Sequence, residues 1–84
     1  MTDEQIAGII ENILVQHFNI PANNPLFWTT PLDKLTEKFK ILGYLVLLEQ
    51  LLQEAFNKNI AIVENISTIY HTPQDILLLI TNEL

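Results

Sequence analysis

Between Leu35 and Phe56 the chain reads LTEKFKILGYLVLLEQLLQEAF, and its apolar residues return every three or four positions. That is the period of a helix with one face in a core. At 100° per residue, Ile41, Leu45, Leu48, Leu52 and Phe56 form a central stripe. Tyr44, Leu47, Leu51 and Ala55 widen it to about half the circumference. Glu49, Gln50, Gln53 and Glu54 mark the wet side, while Leu42 and Val46, one turn apart, fall among these polar residues rather than on the stripe. Thr36 is the expected N-cap, with Glu37 in the first turn and the end near Phe56. A stripe this wide must be covered by other elements of the chain.

Two further helices have readable boundaries. The first is expected from Asp3 to Phe18: Thr2 caps it, Gln5 completes a capping box, and Asp3 and Glu4 complement the positive end of the dipole. Its stripe is Ile6, Ile9, Ile10, Ile13, Leu14 and His17, and Asn19 with Pro21 ends it. The last helix opens at Thr72 as cap, with Pro73 in the first helical position, where its missing N–H costs nothing, and Asp75 in the first turn. Ile76, Leu77, Leu79 and Ile80 supply its buried face. A shorter helix is expected between Val63 and Tyr70, near Glu64 to Ser67. The segment PANNPLFWTT, Pro21 to Thr30, is a long first connection whose prolines keep it out of helix interiors. Its Leu26, Phe27 and Trp28 are expected to lie against the bundle and seal one end of the core.

The chain has 84 residues and no Cys, so a single domain must stand on apolar packing alone, without disulfide staples or thiolate chemistry. Its formal charge of −6, with only four basic residues, disfavours nucleic acid and anionic membrane surfaces. The acidic start lacks the cationic flank of a secretory signal, and the apolar runs are too short to span a bilayer. These features lead to the expectation of a soluble, cytoplasmic domain.

Three pieces, in this order, resemble the acyl carrier and peptidyl carrier family. IIENILVQHFNI, Ile9 to Ile20, is similar to the family's opening helix. PLDKL, Pro31 to Leu35, precedes LVLLEQLLQEAFNKNIAI, which is similar to its second helix and the tail running through Phe56 to Ile60 and Ile62. HTPQDILLLI, His71 to Ile80, is similar to the start of its final helix. Together they cover nearly the whole chain, and their order and spacing carry more weight than any piece alone. The resemblance implies an all-α, four-helix acyl-carrier-like bundle with a long first loop and a short third helix, and a place in fatty-acid, polyketide or peptide biosynthesis.

The family's working residue is the Ser of an Asp-Ser-Leu motif at the head of the second helix, which carries 4'-phosphopantetheine. Counting back from Phe56 places Leu42 there; counting forward from Leu35 places Phe39. Neither is a hydroxyl. Thr36 lies nearby without the Asp and Leu that should flank it and reads as a helix cap. Ser67, the only serine, falls in the third segment. The attached cofactor is therefore expected to be absent. The family also presents an acidic second helix to its enzymes, whereas here only Glu49 and Glu54 lie beyond its first turn. The expected function is thus non-enzymatic: a carrier-like protein without its attachment Ser that binds a protein partner, a biosynthetic enzyme, through Phe39, Leu42, Gly43 and Val46. The competing readings are a working carrier modified at Thr36 or Ser67, and a self-associating module, a monomer or weak homodimer pairing through Leu42 and Val46.

Other constellations are weaker. His17 and His71 lack further metal ligands, and a helical Ser67, His71, Asp75 triad would be interrupted by Pro73. With only Gly8 and Gly43, no phosphate-binding glycine loop is present. Gly43 has three accounts: close helix packing, a late helix start, or backbone access for a partner. Phe27 and Trp28 are expected as a buried plug rather than as an exposed anchor.

Overall fold

The computed structural model describes residues 2–21, 23, 25–61 and 72–83. Helix α1 runs Asp3–Phe18, a single-turn α2 runs Leu32–Leu35, a 3-10 turn occupies Glu37–Lys40, α3 runs Leu42–Phe56 and α4 runs Pro73–Glu83. The described residues are all-helical, without strands. The short helix expected near residues 64–67 lies outside them.

The ends of α1 follow from local chemistry. Thr2 Oγ1 accepts from the Gln5 N–H at 3.2 Å, and Gln5 Oε1 accepts from the Thr2 N–H at 2.9 Å, so two otherwise orphaned donors satisfy each other's residues. At the other end Asn19 takes a left-handed backbone, φ 57°. There the amides of Asn19 and Ile20 both donate to the Leu14 carbonyl. Ile20 is thereby turned back into the core, where it is buried. Asn57 closes α3 with the same conformation, φ 52°. Just beyond it, Gln53 Nε2 donates to the Ile60 carbonyl at 2.8 Å and holds buried Ile60 over the end of that helix.

The first connection closes one end of the bundle, as expected for Phe27, which is buried with its ring edge-on to Trp28 at 5.1 Å. The Trp28 carbonyl accepts from the Gln74 N–H at 3.1 Å, tying the loop to the first turn of α4. Leu26, by contrast, is exposed rather than laid against the bundle. Its carbonyl accepts from the amides of Thr29 and Thr30 and from Thr30 Oγ1 at 2.6 Å, and this turn leaves its side chain outside. The start of α4 repeats the reciprocal cap of α1: Thr72 Oγ1 accepts from the Asp75 N–H and Asp75 Oδ2 from the Thr72 N–H, each at 3.2 Å.

Helix α1 packs against both α3 and α4. The core joins Ile6, Ile10, Ile13, Leu14 and Phe18 of α1 to Leu45, Leu48, Leu52 and Phe56 of α3 and to Ile76 and Ile80 of α4. No described polar or charged residue is buried in it. His17, expected on the stripe, is exposed because Phe18 fills the core at the last turn of α1 and leaves the imidazole in water. Ala55 too is exposed, and Tyr44 and Leu47 sit at the margin of the stripe rather than inside it.

The largest departure lies before α3. The expected helix from Thr36 to Phe56 is broken at Ile41, whose backbone is extended (φ −104°, ψ 122°). Thr36 does cap, but it caps the 3-10 turn, its Oγ1 accepting from the Lys38 N–H. The tighter turn drives Phe39 inward, and the extended Ile41 resets the helical phase, so Ile41 leaves the stripe for solvent.

Removal of the fully buried Leu48 side chain measures how far packing alone carries this domain. Leu48→Ala should lower unfolding stability by about 3 kcal/mol in urea titration. Leu26→Ala, at the exposed loop position, should change it by less than about 0.5 kcal/mol.

Candidate functional site

The head of α3 is assembled by three aromatic rings. Phe18, at the end of α1, meets Phe39 of the 3-10 turn with ring centroids 4.7 Å apart, and Tyr44 of α3 edge-on at 6.5 Å. Lys38 Nζ stands 6.0 Å from the Tyr44 ring centroid, a distance at which the cation is attracted to the aromatic face. Phe18 thus fixes where the first turns of α3 stand relative to α1.

On the outside of this anchor the chain leaves its apolar side chains in water. Ile41 is 57% exposed and Leu42 61%, with Val46 and Leu47 each 38% exposed and Tyr44 37%. On the helix, Val46 is four residues from Leu42 and three from Gly43, and Leu47 is four from Gly43, so the four residues form one continuous face. A Cβ placed on Gly43 would meet nothing within 4 Å, so the glycine leaves a shallow notch in this face. One turn further along, Gln50 and Glu54 make the same side polar. The apolar face therefore belongs to the head of the helix alone.

Of the four residues expected to bind a partner, Leu42, Gly43 and Val46 come together here on the surface. Phe39 does not join them: it is 4% exposed and packed on Phe18, beneath the face instead of on it. Close helix packing, one of the accounts of Gly43, is overturned by the open space around it, and the helix start at Leu42 accounts for part of its placement. Thr36 is half-buried, its hydroxyl engaged in capping. Ser67 and His71 lie outside the described residues. Sequence reading missed Ile41, which the helical period assigns to the core; the phase reset that exposes it has no signal in that period.

Folding stability does not explain this head. The residue at the N-cap of α3 is Ile41, and no side chain caps the helix. Ser, Thr, Asp or Asn at that position typically contributes about 1 kcal/mol through a hydrogen bond to the first turn. Gly43, in turn, occupies a helical position where Ala would fit. The first turn also carries no acidic residue to complement the dipole. Both α1 and α4 have reciprocal caps and acidic first turns, so among the three described helices longer than a single turn the neglect is confined to α3.

A second concavity is an open groove between α1 and the end of α3, lined by Gln5, Gly8, Ile9, Asn12, Ile13 and Ala55. Its lining carries no ionisable group. No described helix is long and apolar enough to cross a membrane. No family of known proteins, no curated protein and no solved structure matches the chain.

If the head of α3 is not built for stability, repairing it should stabilise the fold. Ile41→Asp is expected to raise unfolding stability by about 0.5–1 kcal/mol, and Gly43→Ala by about 0.5 kcal/mol, in chemical denaturation. A loss in both variants would mean that the native residues do stabilise this turn.

Proposed function

We propose that this chain is a non-enzymatic, acyl-carrier-like protein that has no attachment Ser and works by docking a protein partner, an enzyme of fatty-acid, polyketide or peptide biosynthesis, at the head of α3. The observation that carries the reading is the solvent-exposed apolar face of Leu42, Gly43, Val46 and Leu47 on a helix start whose residues cost stability. Residues kept at the expense of folding are commonly kept for function. A contiguous exposed apolar cluster on a small helical domain supports an interaction surface there.

The resemblance to carrier proteins supplies the pathway. Counted back from Phe56, Leu42 stands where that family carries its Ser, and Leu42 is the first residue of α3. A leucine there has no oxygen to accept a phosphopantetheine arm. On this reading the position where a carrier would tether its cargo has become part of the contact surface. The partner is held for its own sake, as an adaptor or regulator holds it.

Intact mass after incubation with a phosphopantetheinyl transferase and coenzyme A is expected to be unchanged; gain of the arm would defeat the reading in favour of modification at Thr36 or Ser67. Purified chain mixed with ketosynthase, acyltransferase and condensation enzymes from its own source should form a complex with one of them. That complex should be lost in Leu42→Gln/Val46→Gln, while the helical circular-dichroism signal is retained. Failure of all of them to bind would remove the biosynthetic assignment.

A further inference from the structure

The 3-10 turn Glu37–Lys40 is joined to its neighbours through two single extended residues. Thr36 (φ −153°, ψ 142°) separates it from α2, and Ile41 (φ −104°, ψ 122°) separates it from α3. Isolated residues of this kind at element ends are where hinges form. Within the turn only Phe39 is buried; Glu37 and Lys40 are exposed and Lys38 is half-buried. The Phe39 amide donates to the Thr36 carbonyl at 3.4 Å and the Ile41 amide to the Lys38 carbonyl at 3.0 Å, bonds that close on the turn's own flanks. The Phe39 ring, 4.7 Å from that of Phe18, ties the turn to the bundle, and Lys38 over the Tyr44 ring is a second contact.

The same stretch carries a second, incompatible set of helical signals. Ile41 lies four residues before Leu45 and is in phase with the buried stripe of Leu45, Leu48 and Leu52, yet it is 57% exposed. Wound onto α3, Ile41 stands one turn ahead of Leu45 and Tyr44. That is beside the Phe18 ring, which Tyr44 meets edge-on and on which Phe39 now packs. In the same winding Phe39, three residues before Leu42 and seven before Val46, turns outward onto their face. Phe39 and Ile41 therefore compete for one place against Phe18.

We infer that Glu37–Lys40 is a hinged strap latched by Phe39. In a second, less populated state Phe39 leaves Phe18, residues 37–41 wind onto α3 as one helix capped by Thr36, and Ile41 takes the vacated place in the core. The two states are close in free energy because each has its compensation. The latched state buries the larger ring but leaves Ile41 in water and α3 uncapped; the wound state buries Ile41, caps the helix and exposes Phe39. The three-residue hydrogen bonds at this junction, including that of the Tyr44 amide to the Ile41 carbonyl at 3.1 Å, become the four-residue bonds of an α-helix. Winding shortens the stretch from Glu37 to Ile41 by roughly 4 Å, which the hinge at Thr36 and the single turn of α2 packed against the strap take up. On the surface, the apolar face at the head of α3 exchanges Ile41 for an aromatic ring. The strap operates whether or not a partner docks there.

The test uses the isotopically labelled full chain, without any partner. Relaxation dispersion over residues 36–44 should show exchange on the microsecond-to-millisecond scale with a minor state of roughly 1–10%. The minor-state Cα shifts of residues 37–41 should be helical. Leu42→Pro locks the latch, since proline is favoured at the first helical position and holds the residue before it extended, as Ile41 already is. It should abolish dispersion at Phe39 and Ile41 and leave the shifts of Leu48 and Leu52 in place. Phe39→Ala removes the latch and should raise the wound population by roughly tenfold, with new nuclear Overhauser contacts from Ile41 to Phe18 and Leu45. Three results would each overturn the strap: flat profiles across residues 36–44 in the wild type, minor-state shifts typical of coil, or dispersion unchanged by Leu42→Pro. Should Phe39→Ala unfold the domain, the wild-type and Leu42→Pro profiles decide alone.

Discussion

The contact of Phe18 with Phe39 and Tyr44 is the interaction on which the arrangement of this domain turns. It lies where the last turn of α1, the 3-10 turn and the first turn of α3 converge. Tilted and edge-on ring pairs at these separations contribute about 0.5–1.5 kcal/mol beyond the area that they bury. Their larger effect is geometric. With Phe39 drawn into the core, the backbone between Thr36 and Leu42 cannot continue as an α-helix, and the 3-10 turn and extended Ile41 absorb the mismatch. The exposed face of α3 is the outer side of that accommodation.

The two halves of α3 consequently serve different ends. From Leu48 onward, the inward positions are closed by α1 and the polar side faces water in the usual amphipathic manner. Before Leu48, the helix is apolar nearly all round, a pattern ordinarily found in fully buried helices. Here Leu45 is buried, Tyr44, Val46 and Leu47 are partly covered, and Leu42 stays mostly in water.

Much of this was legible in the sequence. The capping signals at Thr2, Gln5, Thr72 and Pro73 mark the ends of α1 and α4 because a cap is a short-range hydrogen bond between residues two or three apart. The position of Leu42 and Val46 off the stripe likewise marks them as surface residues, since helical phase alone decides it. What the sequence concealed depends on tertiary contact. The break at Ile41 arises because Phe39 is claimed by Phe18, a residue more than twenty positions away. The burial of Phe39 follows from the same contact. The exposure of Leu26 comes from a turn formed around its carbonyl, and Thr29 and Thr30 carry no hydrophobic period that would reveal it. The single turn of α2 is too short to generate any period at all.

The missing cap has a further consequence for motion. In a helix whose end is unsecured, amides of the opening turn exchange with solvent through brief local fraying, at a fraction of the free energy that releases Leu48 and Leu52. The exposed face therefore runs from turns that rest on the bundle to an uncapped tip. On the docking reading proposed above, a partner that orders this tip gives up some affinity and is released sooner.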